Sequence, residues 1–258
     1  MREIAELKSH AAALLSSNQV QCIIGWKAGD FPHLREVALF TCPQQLDALV
    51  YDAYCTVRLS RQLIWANQQY EKTAIFLTPE DAFSYNQLLK EKQVFQEKTV
   101  VIPVDAFPAD KPEHPHTMES IGSLPTAERQ AFWEAALAPC VRCNACRNIC
   151  PVCNCKACVF DSPAYGVGRK ANIACFDGDM FHITRALHVA GRCTACGECS
   201  RACPNGVPLY LLNQKVLAEV LENYGDYRTN EAIALPTDAP AFTALPKNPL
   251  LDFDLQND

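Results

Sequence analysis

Through the first hundred residues the apolar positions come in short runs separated by polar breaks. Val20 to Trp26, Arg35 to Thr41, Lys72 to Leu77 and Thr99 to Val104 each read as a strand. Helical spacing appears between them. Pro43 suits a first helical turn, with Leu46, Leu49 and Val50 behind it. Val57, Leu59, Leu63 and Ile64 predict a second helix. Thr78-Pro79-Glu80-Asp81 is a helix start: a capping hydroxyl, a proline in the first turn, then two acids at the positive end of the helix dipole. That helix runs to about Glu91. Strands alternating with helices predict an α/β layer with a mostly parallel sheet over residues 1–105.

The pattern then changes. Asp105 to Pro125 is rich in proline and polar residues and marks a boundary. Residues 106–138 read as a linker and a lead-in helix, the helix from Thr126 to Leu137. Further helices are predicted over Asp179–Ala190 and from Val207 to Tyr224, where Gly225 stops the chain. Residues 226–258 carry Pro236, Pro240, Pro246 and Pro249 and read as an extended or disordered tail.

Composition changes the picture in one respect. With 258 residues, 49% of them hydrophobic, the chain can bury a sizeable core. Its net charge of -6 and the lack of a basic stripe give no footprint for nucleic acid. No apolar run approaches the length of a membrane span, and the opening Met-Arg-Glu-Ile-Ala-Glu has no signal-peptide character, so a cytoplasmic protein with reduced thiols is expected. The 15 cysteines are the exception. Cys22, Cys42 and Cys55 lie in the first half; all others crowd between Cys140 and Cys203.

There the spacing is specific. Cys140-x2-Cys143-x2-Cys146-x3-Cys150-Pro151 is repeated as Cys193-x2-Cys196-x2-Cys199-x3-Cys203-Pro204. A four-iron cube needs four thiolates at its corners. Three cysteines two residues apart let one tight loop wrap three corners, and small residues at Ala145, Ala195 and Gly197 allow close approach. Where two such runs share a chain, the fourth cysteine of each serves the other cluster. Cluster I then takes Cys140, Cys143, Cys146 and Cys203, and cluster II takes Cys193, Cys196, Cys199 and Cys150. Zinc also uses C-x2-C pairs, but calls for neither the third cysteine nor the C-x3-C-P ending. The fold class is therefore α+β: an α/β domain (1–105), a two-[4Fe-4S] ferredoxin-like domain (139–225) and a Pro-rich tail.

Cys153, Cys155 and Cys158 follow the first motif directly. They are candidates for a third metal or cluster, with Cys175 or Cys55 as fourth ligand; the alternative is reduced thiols supporting the first loop. Arg142, Arg147, Arg192 and Arg201 lie in or beside the motifs, where positive charge raises a cluster's potential, unless they are surface or partner-docking residues. His182 and His188 are read as packed or capping residues rather than ligands.

The stretch Cys140 to Asp161, and the stretches Arg185 to Cys193 and Cys203 to Leu209, resemble the iron–sulfur, beta-type subunits of anaerobic formate dehydrogenase, hydrogenase and heterodisulfide-reductase-like complexes. The resemblance implies a dicluster electron-transfer subunit beside a catalytic oxidoreductase subunit, with a second redox partner or carrier. The N-terminal half departs from it: Leu77-Thr-Pro-Glu80 stands where relatives carry Gly-Cys-Asp. Some of the wider family bind flavin. The chain has 10 glycines and no Gly-rich phosphate loop, so a flavin site is not carried over. Three functions follow: a relay subunit without bond chemistry, a flavin-containing subunit exchanging hydride with a nicotinamide or deazaflavin carrier, and a non-redox scaffold. No catalytic triad or zinc-protease motif is present in the sequence, which favours the relay.

Overall fold

The computed structural model describes residues 4–105, 114–162 and 176–227. Its first unit is organised by β4 (Thr73–Leu77), buried at all five positions. A strand covered on both faces is expected to be continuously apolar, as Ala74-Ile75-Phe76-Leu77 is. Beside it lies β1 (Cys22–Ala28), buried from Cys22 to Trp26. The sheet order is β2 (Arg35–Phe40), β1, β4, β5 (Thr99–Pro103), with β3 (Leu49–Val50) on the end of β1. β1–β4 and β4–β5 are parallel; β1–β2 and β1–β3 are antiparallel. The sheet is thus mixed, not mostly parallel. Residues 29–34 are too short for a crossover helix, so the chain returns as a hairpin with Ile23 opposite Phe40 and Ala28 opposite Arg35.

Helix α1 (Ile4–Ser16) buries Leu7, Ala11 and Leu14 on one face and packs on β1. Pro43 opens a 3-10 turn, Pro43–Ala48, rather than a full helix. Leu49 and Val50, which the spacing placed on that helix, leave it to form β3 and pair with Lys27 and Trp26. The next helix begins later than predicted: a 3-10 turn at Ser60–Gln62 leads into α2 (Leu63–Gln69). Helix α3 (Pro79–Lys90) starts at its predicted cap, where Thr78 Oγ1 accepts the Asp81 N–H at 3.3 Å.

The second unit is helical. It comprises α4 (Met118–Gly122), α5 (Thr126–Leu137), α6 (Ala145–Ile149), α7 (Phe176–His188), α8 (Glu198–Arg201) and α9 (Leu209–Tyr224). α6 packs on α8, and α7 and α8 pack on α9. Gly225, at φ 80°, ends α9. Among the described residues no helix is long and apolar enough to cross a membrane. Most of the tail, and the Pro-rich linker over 106–113, fall outside the described residues.

Candidate iron–sulfur centre

The two cysteine motifs fold alike. In each, the residues two and four places after the first cysteine are left-handed: Arg142 (φ 50°) and Asn144 (φ 63°), then Ala195 (φ 57°) and Gly197 (φ 77°). Only one of the four is glycine, so the turn is held against a cost of about 1–2 kcal/mol per non-glycine residue. The geometry turns an amide back onto the first thiol. Arg142 N–H donates to Cys140 Sγ at 3.3 Å, and Ala195 N–H does the same for Cys193. The short helices α6 and α8 then carry Cys146 and Cys199 inward, both buried.

The motifs cross. Cys140, Cys143, Cys146 and Cys203 line one cavity. Burial raises the thiols of Cys140 and Cys146, and the other thiols of this group raise them further. Burial pushes Cys193, Cys196 and Cys199 up to about 12, and the thiol that all three face besides one another is Cys150. Among the described residues no three Cys, His, Asp or Glu side chains converge closely enough for one ion.

Buried nitrogen donors complete the fit. Arg185 is 2% exposed and donates from Nη2 to Cys146 O at 3.1 Å, while its Nε has no hydrogen-bond partner. Burial alone would lower this guanidinium; the thiols of Cys199, Cys146, Cys150 and Cys153 hold it above its ordinary value. His182 lines the first cavity with neither ring nitrogen bonded. Burial, then Arg185 and Arg142, push it down to about 4, so it is neutral and carries one N–H. Sulfur-rich, anionic contents would satisfy these donors. Of the arginines singled out by sequence, Arg142 is buried, Arg147 pairs with Asp161, Arg192 with Glu91, and Arg201 with Glu198 and Cys196 O. Arg185 escaped sequence reading because it lies on α7, distant in sequence from Cys146.

The N-terminal unit grips the second cage. Asp81, 2% exposed, accepts the Leu59 and Ser60 amides at 2.8 and 2.9 Å and the Ser60 hydroxyl at 2.6 Å. That fixes the turn from which Arg61 Nη1 donates to Cys150 O at 2.5 Å and Cys153 O at 3.0 Å. Ser84 and Thr194 hydroxyls meet at 3.1 Å. Glu91 receives Arg192 at 2.5 and 2.6 Å and Asn154 at 2.8 Å. Tyr227 OH donates to Cys193 O at 2.7 Å.

The remaining thiols separate. Cys22 and Cys55 are buried in the N-terminal unit, pushed by burial up to about 11 and about 12. Cys55 bonds with the Asp52 amide and Val50 O, and the structure does not bring it to Cys153, Cys155 or Cys158. Cys175 lies outside the described residues.

Residues 136–207 match the 4Fe-4S dicluster domain family. Over 93 residues the chain is 27% identical to the F420-dependent formate dehydrogenase subunit beta of Methanocaldococcus jannaschii, covering 36% of this chain and 24% of that one. Over 84 residues it is 33% identical to the fumarate reductase iron-sulfur subunit of Mycobacterium tuberculosis, covering 31% of this chain and 33% of that one. The alignments thus span a third or less of these relatives. Spacing, folded cages and family match fall on the same segment, residues 136–207.

Proposed function

We propose that this chain is an electron-transfer subunit of an oxidoreductase complex, relaying electrons between a catalytic subunit and a second redox partner. Cys140, Cys143, Cys146 and Cys203 would hold one [4Fe-4S] cluster; Cys193, Cys196, Cys199 and Cys150 would hold the other. When bound, such clusters supply one-electron redox chemistry at sites close enough for rapid exchange. The observation that carries this reading is the crossing of the motifs: Cys203 lines the cavity of the first three cysteines, and Cys150 faces Cys193, Cys196 and Cys199. The protein's own work is to shield the cages, to seat thiolates at fixed corners, and to set their electrostatics with Arg185. Both relatives are named as subunits of larger enzymes, and this chain would likewise assemble with a catalytic partner, in the reducing cytoplasm.

The test is iron, sulfide and flavin content of the full chain purified without oxygen, with EPR after dithionite reduction. Clusters in both cages give at least eight irons per chain, roughly four per cube, and a pair of coupled signals. Zinc in place of iron would overturn the reading. Stoichiometric flavin would replace the relay with a subunit exchanging hydride with a nicotinamide or deazaflavin carrier. Clusters that dithionite and stronger reductants cannot reduce would make them structural.

A further inference from the structure

A relay needs two ends. The first cage has one, since Cys143 is exposed. The second cage is more enclosed: Cys150 and Cys199 are buried and Cys193 and Cys196 only partly accessible, under α3 and the Arg61 turn. Beside it stand three thiols that the two-cluster reading leaves unused. We propose that Cys153, Cys155 and Cys158 hold a third iron–sulfur cluster, which carries electrons between the second cage and the surface. The proposal rests on the dicluster reading and extends it.

Four observations support it. The first is contact: Cys153 packs with Cys193 against Cys150, Val152 and Val189, so the trio adjoins the second cage. The second is that these are not core thiols. Cys155 is exposed, Cys153 and Cys158 are partly so, and none is in a disulfide. Three cysteines within six residues, two of them C-x2-C, offer a loop three thiolates to place at three corners of a cube. The third is charge. Arg61 and Arg185 face Cys153, Arg192 faces Cys155 and Cys153, and Arg147 hydrogen-bonds Cys158. A thiolate-ligated cube is net anionic, and each thiol already has a cation beside it. The fourth is room: Cys153 and Cys155 line an open cleft walled by Arg61, Ile64 and Trp65, with Cys158 outside that lining.

The experiment compares the full chain with a Cys153→Ala/Cys155→Ala/Cys158→Ala variant, both reconstituted without oxygen with iron, sulfide and a thiol reductant. The expected result is about twelve irons for the natural chain and about eight for the variant, which keeps the coupled EPR pair. If the triple variant loses all iron, Cys155→Ala decides: its exposed thiol supports no core, so it must change the third EPR signal while the pair persists. About eight irons in both proteins, with the trio freely alkylated or oxidised to a disulfide, overturns the third cluster and leaves the dicluster reading intact. Eight irons plus one zinc lost with the trio does the same. Fewer than eight irons in both proteins overturns the two readings together.

Discussion

At the scale of one residue, Arg185 is the informative case. Removing a guanidinium from water is costly, and a buried cation is retained only where charge of the opposite sign meets it. Among the described residues it is thiols from both cages and from Cys153 that face it. With a cluster in each cage, its charge would act on both at once, stabilising each reduced or thiolate-rich state. Replacing it by methionine of similar reach should lower both reduction potentials. Each 1.4 kcal/mol of lost attraction is about 59 mV for a one-electron couple, so a fall on the order of 60 mV or more is expected. Arg185→Lys should retain most of the natural value. Redox titration followed by EPR reads both couples separately; a shift in one alone would place the guanidinium at a single cage.

At the scale of the element, α3 links the two units. Its C-terminal neighbour Glu91 is partly desolvated; burial would raise its carboxyl, but Arg192, Gln87 and Asn154 outweigh that and hold it below its ordinary value of 4.5. A depressed carboxylate contributes stability above its unfolded pKa, and that contribution is lost as pH falls through the folded one. Glu91→Gln should then cost about 1–2 kcal/mol near neutral pH, roughly 3–6 °C in anaerobic thermal unfolding. The gap between variant and natural chain should close below pH 4.5. A gap that persists there would assign the loss to packing. How far such elements can be read from sequence depends on where their determinants lie. α3, β4 and α5 were legible because their determinants are local: cap, proline and acids for α3, an apolar run for β4, and Pro125 with an acid in the first turn for α5. The spacing of the eight motif cysteines is local in the same way, four to each short run. β3 was not: Leu49 and Val50 fit a helical stripe equally well, and only pairing with Trp26 and Lys27 decides. α1 was missed because Leu7, Ala11 and Leu14 are a thin stripe among alanines and serines. The left-handed positions at Arg142 and Ala195 carry no glycine to announce them. The hold of Arg61 on Cys150 and of Glu91 on Arg192 spans 89 and 101 residues, beyond any local pattern.

At the scale of the whole molecule, these long-range contacts make two similar motifs unequal. The first cage meets solvent at Cys143, with Val141 beside it 49% exposed. The second is enclosed by Arg61, Ser84, Glu91 and Tyr227, four side chains from outside the cysteine motifs. Iron leaves a cluster only when a corner opens to an attacking ligand, and local opening is rarer where backbone carbonyls and hydroxyls are tied down. A chelator applied to the full chain should therefore strip the first cage before the second. After dithionite reduction the first cage's contribution to the EPR spectrum should be lost first, and the second cage's should decay more slowly. Arg61→Ala removes two bonds to the Cys150 and Cys153 carbonyls, each worth about 1.5–3 kcal/mol for a charged donor. It should speed the slow phase several-fold and leave the fast phase unchanged. Parallel loss of both signals in the natural chain would mean that the N-terminal unit does not protect the second cage. In that case its role would have to be sought at its own exposed surface, where Trp65 stands 46% accessible beside the cleft.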